Sequence, residues 1–498
     1  MSKVWGLVFC ACLMFFISCG GGSSVETADK NDGISDSDSE KDDSESDNQT
    51  EDAGSDENEG KEAEDGDSDA EGNDDPEELQ TGGIYIFSDF DGSENAQSRE
   101  ILGNGGFFGF SIVTLGEKYW AASAIHESIP AFDWEKATGK FYIFDKSKRV
   151  GSREDAVLVL NHPDKSLNVG FGYTAAEPCD INGDGFDDLA VSSHLAPFGS
   201  LSAAGEIVVF YGSPDGWNEK NTSISRLSSA YIQQADSMSQ SLTCFDYDGD
   251  GFADVFAGGQ NAGPELQGGG SQGMVAIFKG SEEGLWEIEA TVILPKIEKK
   301  AQYFGSGMLT GDFNGDSKHD LVIAGWGLKE DDSSANSGGV YIYLSGDDWM
   351  AEPSKMIFGE AGTQFGSMIK VVEIAGKKHL GVLAAKEGQH GAIHIYETEN
   401  FNETAVITIP EMTELGDGTL NDFDTIKISE NSDLLIAGGK TFGSGGMILC
   451  AKIENGGFGN IGKCPFQPES PEGGFGYSVK NIGNGEIVVG KPEYIHKF

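Results

Sequence analysis

Asp180-Ile181-Asn182-Gly183-Asp184-Gly185-Phe186-Asp187-Asp188, followed by the apolar run Leu189-Ala190-Val191, is the stretch on which the reading of this chain turns. A near copy begins at Asp246 (DYDGDGFADVFAG) and another at Asp312 (DFNGDSKHDLVIAG), evenly spaced along the chain. In each copy oxygen-bearing side chains stand at positions 1, 3, 5 and 9, a spacing that wraps hard oxygen ligands around Ca²⁺. Position 7 (Phe186, Phe252 or Lys318) offers a backbone carbonyl, so its side chain is free to vary. Position 6 is Gly185, Gly251 and Ser317, where the sharp turn favours a permissive backbone.

An EF-hand needs flanking helices and a bidentate Glu at position 12. That position holds Val191, Ala257 and Ile323, each inside an apolar run that reads as a buried strand, so the EF-hand is rejected. The competing reading is a plain Asp/Gly turn without metal, since Asx-turns use the same residues. Three evenly spaced copies argue against it, because clustered carboxylates without a cation repel one another.

Composition divides the chain. Met1 to Cys19 carries one Lys and then an apolar run from Val4 to Ile17, the shape of an export signal and too short for a membrane span. Phe16-Ile17-Ser18-Cys19 resembles a bacterial lipobox, which implies lipidation at Cys19; Phe16 departs from the usual Leu. Residues 20–80 form an acidic Ser/Asp/Glu/Gly linker, with 25 Asp+Glu against 3 Lys over residues 21–80. Such a segment cannot offset chain entropy by burial and is expected to be disordered. As a tether it would reach roughly 40–45 Å. The whole chain carries 83 Asp+Glu against 33 Lys+Arg, a balance that argues against nucleic acid as a partner. An exported chain permits disulfides. Cys450 and Cys464 flank a Gly-rich turn and are the better candidate pair, whereas Cys179 and Cys244 are either a pair or two buried thiols. No cysteine spacing suggests zinc.

From residue 81 the Asp loops belong to a longer repeat. Upstream stands a Phe-Gly pair (Phe108-Gly109, Phe171-Gly172, Phe304-Gly305, Phe365-Gly366, Phe475-Gly476). Downstream stands a Gly and an alternating aromatic strand: GKFYIF, GEIVVF, GMVAIF, GGVYIY and GAIHIY. A period near 60 with four strands and no helical pattern reads as a β-propeller blade. Blades start near residues 108, 171, 237, 304, 365, 422 and 475; the third has Ser237-Met238 where Phe-Gly is expected, and the sixth lacks the pair. Four blades shorten the loop to a tight hairpin at LGEK, AGKK, SENSD and IGNG. The seventh stops after EIVVG, and the missing strands are expected at the other end, in GGIYIF (82–87) and around Arg99 to Leu102. The fold class is therefore all-β: a seven-bladed β-propeller over residues 81–498, closed by N-terminal strands that complete the last blade.

Phe-Gly, a D-x-[DN]-x-D-G-x-x-D loop, an apolar strand and G-x-[VI]-Y-[VI]-[FY] together resemble the FG-GAP repeats of integrin α-subunits. The resemblance implies about three Ca²⁺ sites in blade hairpins on one face. By position it assigns ligand roles to Asp180, Asn182, Asp184, Phe186 (carbonyl) and Asp188. The other sets are Asp246, Asp248, Asp250, Phe252 and Asp254, then Asp312, Asn314, Asp316, Lys318 and Asp320. Ser317 departs from the pattern. Counting acids, the Asp246 loop is expected to bind Ca²⁺ most tightly and the Asp312 loop least, with Mg²⁺ a poor competitor.

The functional expectation is a calcium-binding, exported, lipid-anchored module at a bacterial outer membrane or cell surface, touching the membrane through its N-terminal lipid only. It would bind an extracellular protein or glycan, with Trp120, Trp134, Trp217, Trp286, Trp326 and Trp349 as candidate contacts or as blade packing. The alternatives are an extracytoplasmic enzyme on a propeller or a purely structural scaffold. No catalytic residues are assigned. The eight His occur singly apart from His390 and His394, which lack a companion acid at metal spacing, and FDWEKATGK (132–140) resembles a quinoprotein repeat only once. A nucleophile elbow is absent.

Overall fold

Each Asp-rich stretch joins the first two strands of a four-stranded antiparallel sheet in the computed structural model. The structure describes residues 82–492 except 91–95, 104–105, 128–137, 166–168, 229–236, 264–271, 295–302, 330–335, 347–351, 444 and 469–473. The export signal, Cys19, the acidic linker, Trp134, Trp349, His496 and residues 132–137 of the quinoprotein-like stretch lie outside the described residues. Seven sheets follow one another, and no α-helix occurs among the described residues, only two short 3₁₀ turns. None of the described helices is long and apolar enough to cross a membrane.

The first strands of the blades are Phe108–Leu115, Phe171–Ala175, Ser241–Phe245, Gly307–Gly311, Phe365–Ile374, Asp422–Ser429 and Val479–Gly483. Each packs beside the next, and the last packs beside the first, so they form the inner wall of a closed ring. This is a seven-bladed β-propeller. The last blade is completed as the sequence implied. Gly83–Ser88 pairs antiparallel with Glu486–Lys491 on one side and with Gln97–Leu102 on the other. Arg99 is ion-paired with Glu486, and Lys491 lies 3.1 Å from Glu100. Closure leaves neither Gly83–Ser88 nor Glu486–Lys491 an unpaired side to recruit another chain.

The core is distributed. Seven apolar clusters each lie between two neighbouring blades, for example Phe304, Tyr341 and Tyr343 between blades 3 and 4. The Phe-Gly pair makes this packing possible. Phe304 is fully buried, and Gly305, at φ 83°, brings its backbone against Gly258 and the Met274 carbonyl of blade 3. A Cβ at Gly305 would lie 2.5 Å from that carbonyl oxygen.

In blade 3 the register of this pair differs from the sequence reading by one residue. Met238-Ser239, not Ser237-Met238, fills the Phe-Gly place. Gly205 approaches the Met238 backbone as Gly273 approaches Phe304, and Met238 N–H donates to Ala204 O as Phe304 N–H donates to Gln272 O. Ser239 takes the positive φ of the glycine (70°) and spends its hydroxyl on Glu206 O, 2.9 Å away. In blade 6 Leu420-Asn421 holds the same place, with Leu420 N–H donating to His390 O.

Two disulfides brace the ring. Cys450 and Cys464 are bonded (Cα–Cα 5.0 Å), where the outer strand of blade 6 is broken into Gly457–Phe458 and Gly462–Lys463. Two-residue strands carry little pairing of their own, so the bridge holds this edge to Met447–Glu454. Cys179 and Cys244 are also bonded (Cα–Cα 6.3 Å), joining blade 2 to blade 3.

Candidate metal centre

The three Asp loops fold alike because each first Asp organises its own backbone. Asp180 accepts N–H bonds from Asp184 and Gly185 (3.1 and 2.9 Å), and Asp246 accepts from Gly249, Asp250 and Gly251. Asp312 accepts from Gly315, Asp316 and Ser317. The fifth position does the same for the seventh: Phe186, Phe252 and Lys318 donate N–H to Asp184, Asp250 and Asp316. The turn demands a left-handed residue at position 6, where Gly185, Gly251 and Ser317 have φ 85°, 93° and 67°. Ser317 therefore carries strain that the two glycines do not.

Position 9 is unlike the others. Asp188, Asp254 and Asp320 are completely buried. One carboxylate oxygen accepts the N–H of position 2 (Ile181, Tyr247 and Phe313, at 3.0, 3.3 and 2.8 Å). The other accepts an N–H from beyond the third strand (Gly212, Gly280 and Ser345, at 2.7, 3.0 and 2.8 Å). This residue clamps loop to blade, and burial raises the carboxyl of Asp188 to about 6 and of Asp254 to about 7. The sequence reading assigned it a ligand role alone; its clamp role depends on chain segments that spacing does not reveal.

The donors converge. In the blade 3 loop Asp246, Asp248 and Asp254 each bring a carboxylate oxygen within 4.8 Å of the others, the one such triad of acidic or metal-binding side chains found among the described residues. Asp250 instead meets Lys279, whose ammonium is hydrogen-bonded to Asp248 and lies 3.0 Å from Asp250. These bonds raise the Lys279 pKa, and the Phe252 N–H and then Lys279 hold Asp250 below the usual carboxylate range. In the other two loops an amide replaces one carboxylate: Asn182 Nδ2 donates to Asp184 (3.0 Å) and Asn314 Nδ2 to Asp316 (3.2 Å). Ser345 Oγ also donates to Asp316 at 2.5 Å, which lowers that carboxyl. Among the described residues no Lys or Arg is ion-paired with Asp184 or Asp316, the counterparts of Asp250 in the other two loops. An all-oxygen set of carboxylates and an amide, pre-shaped by backbone donors, fits a hard cation such as Ca²⁺.

The loops of blades 2 and 3 touch. Ala253 N–H donates to Asp180 O at 2.9 Å, and the Phe252 ring packs over Gly183. Cys179, bonded to Cys244, directly precedes Asp180.

A model of the FG-GAP-like repeat matches residues 246–323, and a model of the FG-GAP repeat matches residues 171–210 and 304–343. The chain carries FG-GAP repeats. Integrin alpha-PS5 of Drosophila melanogaster is 31% identical over 197 residues, which make up 39% of this chain and 18% of that relative. This chain thus spans less than a fifth of the relative's length. The matched FG-GAP segments take in blades 2, 3 and 4, the blades with Asp loops.

At the opposite end of the FG-GAP blades lie the Phe-Gly pairs, because the first two strands of a blade run antiparallel (Phe171 opposite Ser193, for instance). In blades 1, 2 and 7 the residue after Phe-Gly is aromatic, and the three form a run. Phe110 lies 5.1 Å from Tyr173 and 5.0 Å from Tyr477, centroid to centroid, and Lys440 sits 4.7 Å over Tyr477. Burial lowers Lys440 to about 8. The same place in blades 3 to 6 holds Gln240, Ser306, Ser367 and Asp422. Sequence reading passed over this run; the signal was the third letter of the Phe-Gly-x triplets.

The tryptophans separate. Trp120 is buried and stacks on Phe144 (4.5 Å), so it packs a blade. Trp217 donates to Asp187 O beside the first loop, Trp326 stacks on Tyr303 at 3.7 Å, and Trp286 is 48% exposed. The structure also parts His390 from His394. His390 Nδ1 meets Gly418 O at 2.8 Å, whereas His394 lies between Glu387 and Glu403, each 2.7 Å away. Two acids thus flank His394, but among the described residues they and His390 form no metal-holding group. Strand pairing brings in partners that sequence spacing keeps apart.

Proposed function

We propose that this chain is a calcium-stabilised propeller, exported and lipid-anchored through Cys19, that binds an extracellular protein or glycan. The observation that carries the calcium reading is the convergence of pre-shaped oxygen donors in the blade 3 loop, with the same backbone scaffold in blades 2 and 4. Asp180, Asn182, Asp184 and Asp188 would hold the ion in blade 2, with the Phe186 carbonyl. The Asp246 set with Phe252, and the Asp312 set with Lys318, would do so in blades 3 and 4. A bound cation would neutralise carboxylates that otherwise repel one another, so its role is to stiffen the hairpins.

The binding reading rests on the FG-GAP repeats, the integrin α-subunit likeness and the half-exposed aromatic run of Phe110, Tyr173 and Tyr477 at the far end from the loops. Flat aromatic faces suit protein side chains and sugar rings alike. Unfolding the protein with millimolar-scale Ca²⁺ and then with excess chelator tests the first part: a native-state ligand raises the midpoint. An unchanged midpoint would sink the calcium mechanism and leave the propeller intact. Capture from cell-surface fractions tests the second, and Tyr173→Ser should abolish it if this end is the docking site.

A further inference from the structure

Lys279 stands where the other two Asp loops have no cationic side chain. It directly follows Met274–Phe278, at the place Tyr211 holds in blade 2 and Leu344 in blade 4. Its ammonium is hydrogen-bonded to Asp248, lies 3.0 Å from Asp250 and sits 6.0 Å from the centre of the Tyr247 ring. The side chain is only 20% exposed. Asp248 and Asp250 are positions 3 and 5, so the ammonium engages two of this loop's four Asp side chains.

The charges explain the placement. At positions 1, 3, 5 and 9 the blade 3 loop has four Asp where the other two have three Asp and one Asn. In those loops the Asn amide donates a hydrogen bond across to position 5. With an acid at position 3, that donor is lost and two carboxylates face each other. Lys279 restores the missing link from outside the loop, with a positive charge as well.

We propose that Lys279 is a tethered counter-ion that competes with Ca²⁺ for the blade 3 loop. This rests on the calcium reading above. The loop with the most acids at positions 1, 3, 5 and 9 then binds Ca²⁺ most weakly of the three, where acid counting at those positions would make it the tightest. Calcium enters only as the ammonium leaves, which breaks two charge-assisted hydrogen bonds; the flexible four-carbon stem lets the head swing into solvent. In the absence of metal the same lysine offsets the charge of the Asp248–Asp250 pair in part, so blade 3 stays formed at calcium levels that leave its neighbours empty.

The test uses the full-length chain with Ca²⁺ as the only probe. Calcium binding is measured by calorimetry and unfolding midpoints are measured in chelator. Lys279→Met keeps the stem and removes the charge. It should tighten one site by about tenfold, equivalent to about 1.4 kcal/mol, and this gain should vanish when Asp248→Asn is added. In chelator the same variant should unfold at a lower temperature than the unaltered protein. Lys279→Gln supplies the comparison if the Met variant does not fold. Unchanged binding in both Lys279 variants, while Asp184→Asn still removes a site, would overturn the counter-ion and leave the calcium reading standing. If Asp184→Asn and Asp316→Asn change nothing either, both fall together.

Discussion

Blades 2 to 4 and blades 5 to 7 close the same ring but secure it differently. In the first group the hairpin between the inner strands is an Asp loop, and the braces are carboxylates, a disulfide and, in blade 3, a lysine. In the second the hairpin is tight and the inner strands are stitched directly. Lys370 reaches Asp422 at 2.8 Å and Val479 O at 2.5 Å. Asp422 and Asp424 accept the N–H groups of Val479 and Asn481, and Thr425 exchanges hydrogen bonds with Glu373. Blades 2 to 4 thus cluster carboxylates in their hairpins, whereas blades 5 to 7 set a lysine and acids between their inner strands.

The largest expected effect tests the stitched half. Lys370→Met strands the buried Asp422 carboxylate, whose pKa burial already raises, and should destabilise the protein by about 3–5 kcal/mol. Denaturant unfolding with and without Ca²⁺ should give the same loss; a loss that calcium repairs would erase the distinction between the halves. Next comes the bridge at the foot of the Asp loops. Replacing Cys179 and Cys244 by Ser releases a loop of 65 residues, up to roughly 4 kcal/mol in the chain-entropy account, and should weaken calcium binding in blades 2 and 3 but not in blade 4.

A smaller effect comes from acid. Burial, and then His126, hold His194 at about 3, so it is neutral when folded and takes up its proton near 6.5 when unfolded. The unfolded chain therefore binds more protons between those values, and the stability this residue contributes is complete above pH 6.5 and lost as pH falls toward 3. Between pH 7 and pH 5 the loss should be about 2 kcal/mol, and His194→Gln should show a correspondingly shallower fall. Least of all, Ser317→Gly should gain about 1 kcal/mol by relieving the left-handed strain in the Asp312 loop, read as a raised unfolding midpoint in chelator.

The propeller was legible because its determinants are local and repeated: a Phe-Gly pair, an apolar second strand and an alternating third, each within one blade. Even the closure showed, since GGIYIF has the pattern of a third strand with no first two before it. Blade 3 misled by one residue because Met238-Ser239 keeps the geometry of Phe-Gly without its letters. At the candidate site the loop scaffold was readable, whereas the clamp role of Asp188, Asp254 and Asp320 was not, because its donors Gly212, Gly280 and Ser345 come from the far side of the blade. Lys279 and the two acids beside His394 were hidden for the same reason. They are neighbours through strand pairing, and spacing along the chain carries no trace of that.

The strand Gly83–Ser88 has a consequence in time. Its inner partner, Glu486–Lys491, is among the last segments of the described chain to be made, so Gly83–Ser88 must wait for nearly all the other described strands. Until then GIYIFS, mostly buried in the finished ring, presents one side without its strand. Such a segment invites pairing with a second copy. The run of acids immediately ahead of it in sequence gives two copies like charge where they would meet. Charge read from the sequence alone can therefore protect the interval before the ring closes.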